Sequence, residues 1–242
     1  MRRRLVLFDI DGTLLSAGGV SARALNATLR EAFGTEGDAS SYDYSGKTDP
    51  QIVRDLMRAA GFSDAEIDGR MTAVLADYRA RFDRGLRPEH VRAKPGVTAV
   101  VEALAADARV TLALLTGNIE PCARAKLAPL GLNPRFPFGA YGSDHEDRYR
   151  LPALAVTRAL AHTGTSFSGK TVVVVGDSVH DVLCGRALGV RAVAVATGRT
   201  PRERLALESP DALLDDLSDT SRALEVILGE VNGRTLVPRR AT

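Results

Sequence analysis

Residues 4–15 read R-L-V-L-F-D-I-D-G-T-L-L, and no other stretch limits the fold as strongly. Leu5, Val6, Leu7 and Phe8 are apolar in succession, with no helical period. Such a run predicts a strand buried on both faces, as in a parallel sheet. It ends in two acids, Asp9 and Asp11, followed directly by Gly12 and Thr13. Glycine lets the chain turn sharply as it leaves the strand. Ligands of open α/β sheets bind at the carboxyl ends of strands, where both acids fall. Two carboxylates this close repel unless a cation or hydrogen-bond donors lie between them. A hard divalent ion such as Mg²⁺ suits carboxylates combined with phosphate oxygens. A carboxylate can also act as a nucleophile and form an aspartyl-phosphate. The plainer alternative is an acidic turn, since Asp and Gly are common turn residues.

The rest of the chain falls into two patterns. Residues 21–33 predict a helix with Ser21 as N-cap, Leu25, Leu29 and Phe33 on one face, and Gly34 as its stop. A second helix begins at Thr48 or Asp49, with Pro50 in its first turn, and stops at Gly61. A capping box, Ser63-Asp64-Ala65-Glu66, opens a third, which turns Ile67, Met71, Val74, Leu75, Tyr78 and Phe82 inward. Residues 15–90 are therefore expected to be helical, with no strand.

Beyond Lys94-Pro95-Gly96, strands and helices alternate. Strands are expected at 110–115, 171–175 and 192–196, with a weaker one at 212–214 and an irregular loop at 133–147. This alternation predicts an α/β fold, a Rossmann-like parallel sheet with helices on both faces. The helical stretch is an insertion after the first strand, placed to act as a lid over the active edge. The domains are then 1–15 with 91–242 as the core and 16–90 as the cap. The polar tail after Gly229 is expected to fray.

Three strand ends carry related chemistry: Asp9 and Asp11 after the first, Thr116-Gly117-Asn118 after the second, and Gly176-Asp177-Ser178-Val179-His180-Asp181 after the third. A parallel sheet brings all three to one edge. Asp177 and Asp181 are four apart, so they share a face if the helix has begun between them. A helix N-cap with an acidic first turn would also account for them.

These motifs resemble those of the haloacid dehalogenase-like hydrolase superfamily. D-I-D-G-T-L is similar to its first motif, L-L-T-G-N to its second, and G-D-S-x-x-x-D to its fourth. The resemblance implies that Asp9 is the nucleophile and Asp11 the general acid/base. Thr116, Gly117 and Asn118 would bind the phosphoryl group. Mg²⁺ would be held by Asp9, the Asp11 backbone carbonyl and Asp177, with Asp181 in support. The third motif supplies a lysine or arginine, and the Lys-Pro pair common in relatives is absent. D-R-x-x-L makes Arg148 the first choice and Arg150 the second. Lys126 is a distant third and reads rather as a solvated helix residue.

The acid at Asp11 favours phosphoryl transfer over dehalogenation. An insertion at this point resembles the helical C1-type cap of phosphoglycolate phosphatase and β-phosphoglucomutase relatives. Gly46-Lys47-Thr48-Asp49 is similar to the cap loop that reaches the site there. Lys47 has two readings, a substrate contact or a surface lysine, and the sequence does not choose between them. The resemblance implies a Mg²⁺-dependent phosphatase for a small phosphomonoester, phosphoglycolate-like or a sugar phosphate. A phosphomutase of the β-phosphoglucomutase type is the alternative, and a catalytically silent binding protein is a third.

Bulk properties agree with such an enzyme. The chain has 242 residues, 45% of them hydrophobic and 26% charged, with a formal net charge of +2. That balance does not indicate a nucleic-acid binder. The apolar run after Arg2-Arg3-Arg4 is too short for a signal core, and no stretch reaches membrane-spanning length. Cys122 and Cys184 form no metal or disulfide pattern, so a reducing, cytoplasmic setting is expected. His90, His145, His162 and His180 form no zinc site or triad pattern. The expected partner is a small phosphorylated metabolite, bound by a monomer or homodimer, with neither nucleic acid nor membrane involved.

Overall fold

The computed structural model describes residues 3–231 and 234–235. β1 (Arg4–Phe8) leads through a turn to β2 (Leu15–Ser16). Three helices follow: α1 (Val20–Phe33), α2 (Asp49–Ala59) and α3 (Asp64–Gly85). β3 (Arg92–Ala93) then pairs antiparallel with β2, closing the base of the helical segment. The alternating part runs α4 (Val97–Ala106), β4 (Val110–Thr116), α5 (Glu120–Leu127), β5 (Gly139–Tyr141), α6 (Leu151–Thr163) and β6 (Val172–Gly176). It continues through α7 (Val179–Ala187), β7 (Arg191–Val195), α8 (Arg202–Leu207), β8 (Ala212–Leu214) and α9 (Thr220–Leu228). β9 (Glu230–Val231) and β10 (Arg234–Thr235) form a short antiparallel pair. The rest of the tail expected to fray lies outside the described residues.

Six strands form one sheet in the order β5-β4-β1-β6-β7-β8. Every pairing in it is parallel. β1 is central because all its side chains are buried and both its edges are paired. Side chains alternate across a strand, and the two faces divide accordingly. Val6 and Phe8 pack with residues of α4, α5 and α9, whereas Leu5 and Leu7 pack with α6. Phe8 aligns with Leu114 of β4 and with Val175 of β6. The residues that follow these three therefore emerge side by side.

The helical segment has its own apolar cluster. It draws on Leu25, Leu29, Val53, Leu56, Ile67, Val74, Tyr78 and Phe82, and it takes in Ile119 and Cys122 from the start of α5. Ser63 and Glu66 close the expected capping box on α3. The α2 N-terminus is tied to the sheet edge. The Asp49 amide donates to the Gly117 carbonyl at 2.8 Å, and the Asp49 carboxylate accepts from the Ile119 amide at 2.8 Å. The Thr48 hydroxyl donates to the Glu146 carbonyl at 2.6 Å.

The structure departs from the expectations above in several elements. β2 lies within the stretch expected to contain no strand; two residues are too short to show a period. β5 lies inside the expected irregular loop, where Gly139-Ala140-Tyr141 gives no apolar run yet pairs with β4. α8 and α9 form where no element was expected. Ser21 does not cap α1: Gly19, with φ 72°, holds that position, and the Ser21 hydroxyl is buried.

Gly117 is tightly enclosed, since a Cβ there would lie 2.0 Å from the Lys47 carbonyl oxygen. Gly69, inside α3, has open space around its Cβ position. Gly117→Ala is expected to destabilise the fold by about 1–3 kcal/mol through overpacking. Gly69→Ala should stabilise it by roughly 0.5–1 kcal/mol through helix propensity. Thermal melts of the two variants should shift in opposite directions.

Candidate active site

Asp9 leaves β1 and Asp177 leaves β6, so adjacent parallel strands deliver both carboxylates to one spot. Asp181 joins them from the first turn of α7. The Ser178 amide and hydroxyl donate to its Oδ2 at 3.0 and 2.6 Å. Asp181 therefore completes the capping box of α7 and also stands beside Asp9 and Asp177. Oxygen atoms of Asp9, Asp177 and Asp181 lie within 4.8 Å of one another, and all three residues are buried. The turn glycines make room for this. A Cβ on Gly12, whose φ is 91°, would lie 2.4 Å from Asp177 Oδ2, and one on Gly198 would lie 1.5 Å from it. The Thr13 hydroxyl donates to Asp177 Oδ1 at 2.9 Å.

Arg148 answers this concentration of charge. It is 3% exposed, donates to Asp9 Oδ1 at 3.0 Å, and also pairs with Asp181. Burial alone would lower its pKa, but the carboxylates of Asp181 and Asp9 outweigh this and raise it well above the usual arginine value. Arg150, by contrast, has a 70% exposed side chain and lies near Asp147. One guanidinium does not balance three acids. Burial and the Asp181 charge push Asp9 up to about 7 against the opposing pull of Arg148. Burial and the charges of Asp9 and Asp181 raise Asp177 well above the carboxylate range. An all-oxygen, electron-rich, undercompensated set of this kind fits a hard divalent cation such as Mg²⁺.

A second constellation surrounds Asp11. Asn118 donates through Nδ2 to Asp11 Oδ2 at 2.7 Å and to Thr116 Oγ1 at 2.8 Å. Lys126 Nζ donates to Asp11 Oδ2 and to Asn118 Oδ1, both at 2.6 Å. Lys126 was expected in solvent, but it is 1% exposed. Lys126 lies in the last turn of α5, on the face of that helix that is buried. The signal available in the sequence was its place on the buried face with Cys122, Ala123 and Leu127.

These residues open onto a cavity of about 580 Å³ between the sheet edge and the helical segment. Asp9, Asp11, Thr116, Gly117, Asn118, Lys126, Arg148 and Asp177 line its sheet side. Lys47 lines it from the helical side, with Nζ 3.1 Å from Asp55 and 2.8 Å from the Tyr42 hydroxyl. Thr48 caps α2, and its hydroxyl faces Glu146. Asp49 and Tyr78, treated above only as helix residues, also line the cavity. His180 pairs with the Tyr149 hydroxyl at 2.8 Å, and Cys184 is buried beneath Arg148.

Residues 6–195 match the family described as haloacid dehalogenase-like hydrolase. The chain belongs to that family. The family match spans the strands that carry Asp9, Thr116 and Asp177. A phosphoglycolate phosphatase of Rhodospirillum rubrum is 32% identical, over 89% of this chain and 88% of its own length. One from Agrobacterium fabrum is 29% identical, over 91% of each chain. A solved hydrolase of Pseudomonas syringae superposes with a TM-score of 0.68 at 18% identity, covering 93% of this chain and 99% of that one. No helix among the described residues of this family member is long and apolar enough to cross a membrane.

The raised pKa of Asp9 has a consequence for stability. Without metal, folded Asp9 holds its proton up to about pH 7, whereas the unfolded chain releases it near 3.8. Folding therefore takes up a proton in that window, and stability falls as pH rises from about 4 to about 7. Asp9→Asn removes the ionisation. In EDTA it should gain stability over the wild type as pH rises from 5 to 8, by about 1–3 kcal/mol at the upper end. Mg²⁺ should narrow that gap by stabilising the wild type. Denaturant titrations at the two pH values measure it, and a pH-independent difference would refute the assignment.

Proposed function

We propose that this hydrolase releases inorganic phosphate from a small phosphomonoester through an aspartyl-phosphate on Asp9. The observation that carries the proposal is the three-carboxylate cluster with Arg148 buried in it, opening onto an enclosed cavity. Asp9, Asp177 and the Asp11 backbone carbonyl would hold Mg²⁺, with Asp181 in support. When bound, the ion would neutralise charge on the nucleophile and on the transferring group.

The chain's own residues divide the remaining tasks. Arg148 binds phosphoryl oxygens and leaves Asp9 free to attack the phosphorus. Thr116, the Gly117 backbone and Asn118 hold the other oxygens. Fixed donors of this kind stabilise the charge that builds on the phosphoryl group. Asp11 gives a proton to the leaving alkoxide, then takes one from the water that hydrolyses the aspartyl-phosphate. Lys126 and Asn118 hold its carboxylate by Oδ2. The α1–α3 segment acts as a lid that excludes bulk water, which favours small metabolites over phosphoproteins. Lys47 faces the substrate from that lid. The two cysteines are free and buried, which suits a reducing, cytoplasmic setting. The relatives named above support phosphatase chemistry.

Phosphate release should be measured on a panel of small phosphomonoesters with Mg²⁺, with EDTA and with Asp9→Asn. Release that requires Mg²⁺ and falls at least about 10³-fold in Asp9→Asn is the expected outcome. Isomerised sugar phosphate without free phosphate would instead mark a mutase. Lys126→Met removes the buried cation from Asp11 and from the Asn118 oxygen, and leaves Asp11 only its bond from the Asn118 amide. It should lower kcat by about 10–100-fold while changing KM by less than a few-fold. An unchanged kcat would remove Lys126 from the mechanism.

A further inference from the structure

Among the described residues, Asp49 is the only acid of the α1–α3 segment that is buried. The chemistry above gives it no task. It stands in the first turn of α2, yet that helix does not need its carboxylate as a cap. The Thr48 hydroxyl already caps it, accepting from the Gln51 amide at 3.2 Å. The Asp49 carboxylate turns instead to the core and accepts from the Ile119 amide at 2.8 Å. Its own amide donates to the Gly117 carbonyl at 2.8 Å. Burial pushes the Asp49 carboxyl up to about 6, while the nearby Lys126 ammonium and the Ile119 amide pull the other way. Tyr78, fully buried, also lies close to it.

The two partners of Asp49 belong to the two peptide planes that flank Asn118. Holding both planes fixes the backbone dihedrals of Asn118, and with them the direction of its side chain. The second plane has a further tie, since the Gly142 amide donates to the Asn118 carbonyl at 2.9 Å. Ile119 also begins α5, and it is 5% exposed, so loss of the carboxylate would deprive a buried helix start of its acceptor. Both donors to Asp11 Oδ2 hang from this segment. Asn118 lies between the two bonds, and Lys126 lies in the last turn of α5.

We propose that Asp49 is a positioning residue: from the lid, its carboxylate holds Asn118 and Lys126 against Asp11, so that Asp11 delivers its proton to the leaving oxygen. This assignment rests on the phosphatase reading above. It ties proton delivery to the seating of α2 on the core.

The test compares an alkyl ester, glycerol 3-phosphate, with an aryl ester, p-nitrophenyl phosphate. An alkoxide needs a proton to leave, whereas nitrophenolate leaves unaided, so only the first depends on a well-placed acid. The ratio of the two kcat/KM values, alkyl over aryl, does not depend on how much of a sample is folded. Asp49→Ala should lower that ratio at least about tenfold. Asp49→Asn keeps an oxygen for the Ile119 amide and should restore the ratio to within about threefold of the wild type. If Asp49→Ala does not fold, Asp49→Glu replaces it: its longer side chain misplaces the carboxylate, and the ratio should again fall about tenfold. An equal loss on both esters, or no recovery in Asp49→Asn, overturns the assignment. If the wild type hydrolyses neither ester, the phosphatase reading fails by itself. In that case, or if only one ester is hydrolysed, hydrogen exchange of the Asn118 side-chain amide, read by NMR, decides the role of Asp49. Exchange at least about tenfold faster in Asp49→Ala, and slowed again in Asp49→Asn, sustains it. Unchanged exchange overturns it.

Discussion

Mutual repulsion among Asp9, Asp177 and Asp181 is the constraint on which the rest of the site depends. Adjacent parallel strands and one helix N-terminus bring the three together. Such a cluster is unfavourable in a buried place unless positive charge is supplied. Arg148 supplies part of it. Burial, with the remaining excess of negative charge, raises the proton affinity of Asp9 and Asp177 and suits the set to a cation. Gly12 and Gly198 matter for the same reason, since any side chain on either would occupy the space of the Asp177 carboxylate.

Much of this was legible in the sequence because strand chemistry is local. Apolar runs ending in Asp9, Thr116 and Asp177 specify strand, edge and side chain at once. That the sheet is parallel follows from the alternation of elements, whereas its strand order does not. Arg148 was legible through its neighbours Asp147 and Leu151, although spacing alone did not separate it from Arg150. Burial separates them: one lies within the cluster, the other faces solvent.

Lys126, Asp49 and Tyr78 were less legible because their roles depend on tertiary contacts. A lysine on a short amphipathic helix resembles any surface lysine until its partner, here Asp11, is placed 115 positions away in sequence. Asp49 and Tyr78 have good local explanations, as a helix start and an inward-facing aromatic. Only the closure of three helices over the sheet edge turns them toward a shared cavity. β2 and β5 leave no signal in the sequence for a related reason, since strands this short are defined by the partner they pair with.

The contact between α2 and the phosphate-side loop joins the helical segment to the catalytic edge through main chain. The Asp49 amide binds the Gly117 carbonyl, and Gly117 has no room for a side chain against Lys47. The helical segment is therefore not an interchangeable attachment. Exchanging it with that of another family member would also exchange half of a main-chain joint. Its success would depend on backbone fit at two glycine-sized gaps, Gly117 and Gly142, more than on the helices themselves. Divergence in substrate choice is then easiest through side chains on the inner helix faces, with the joint left intact.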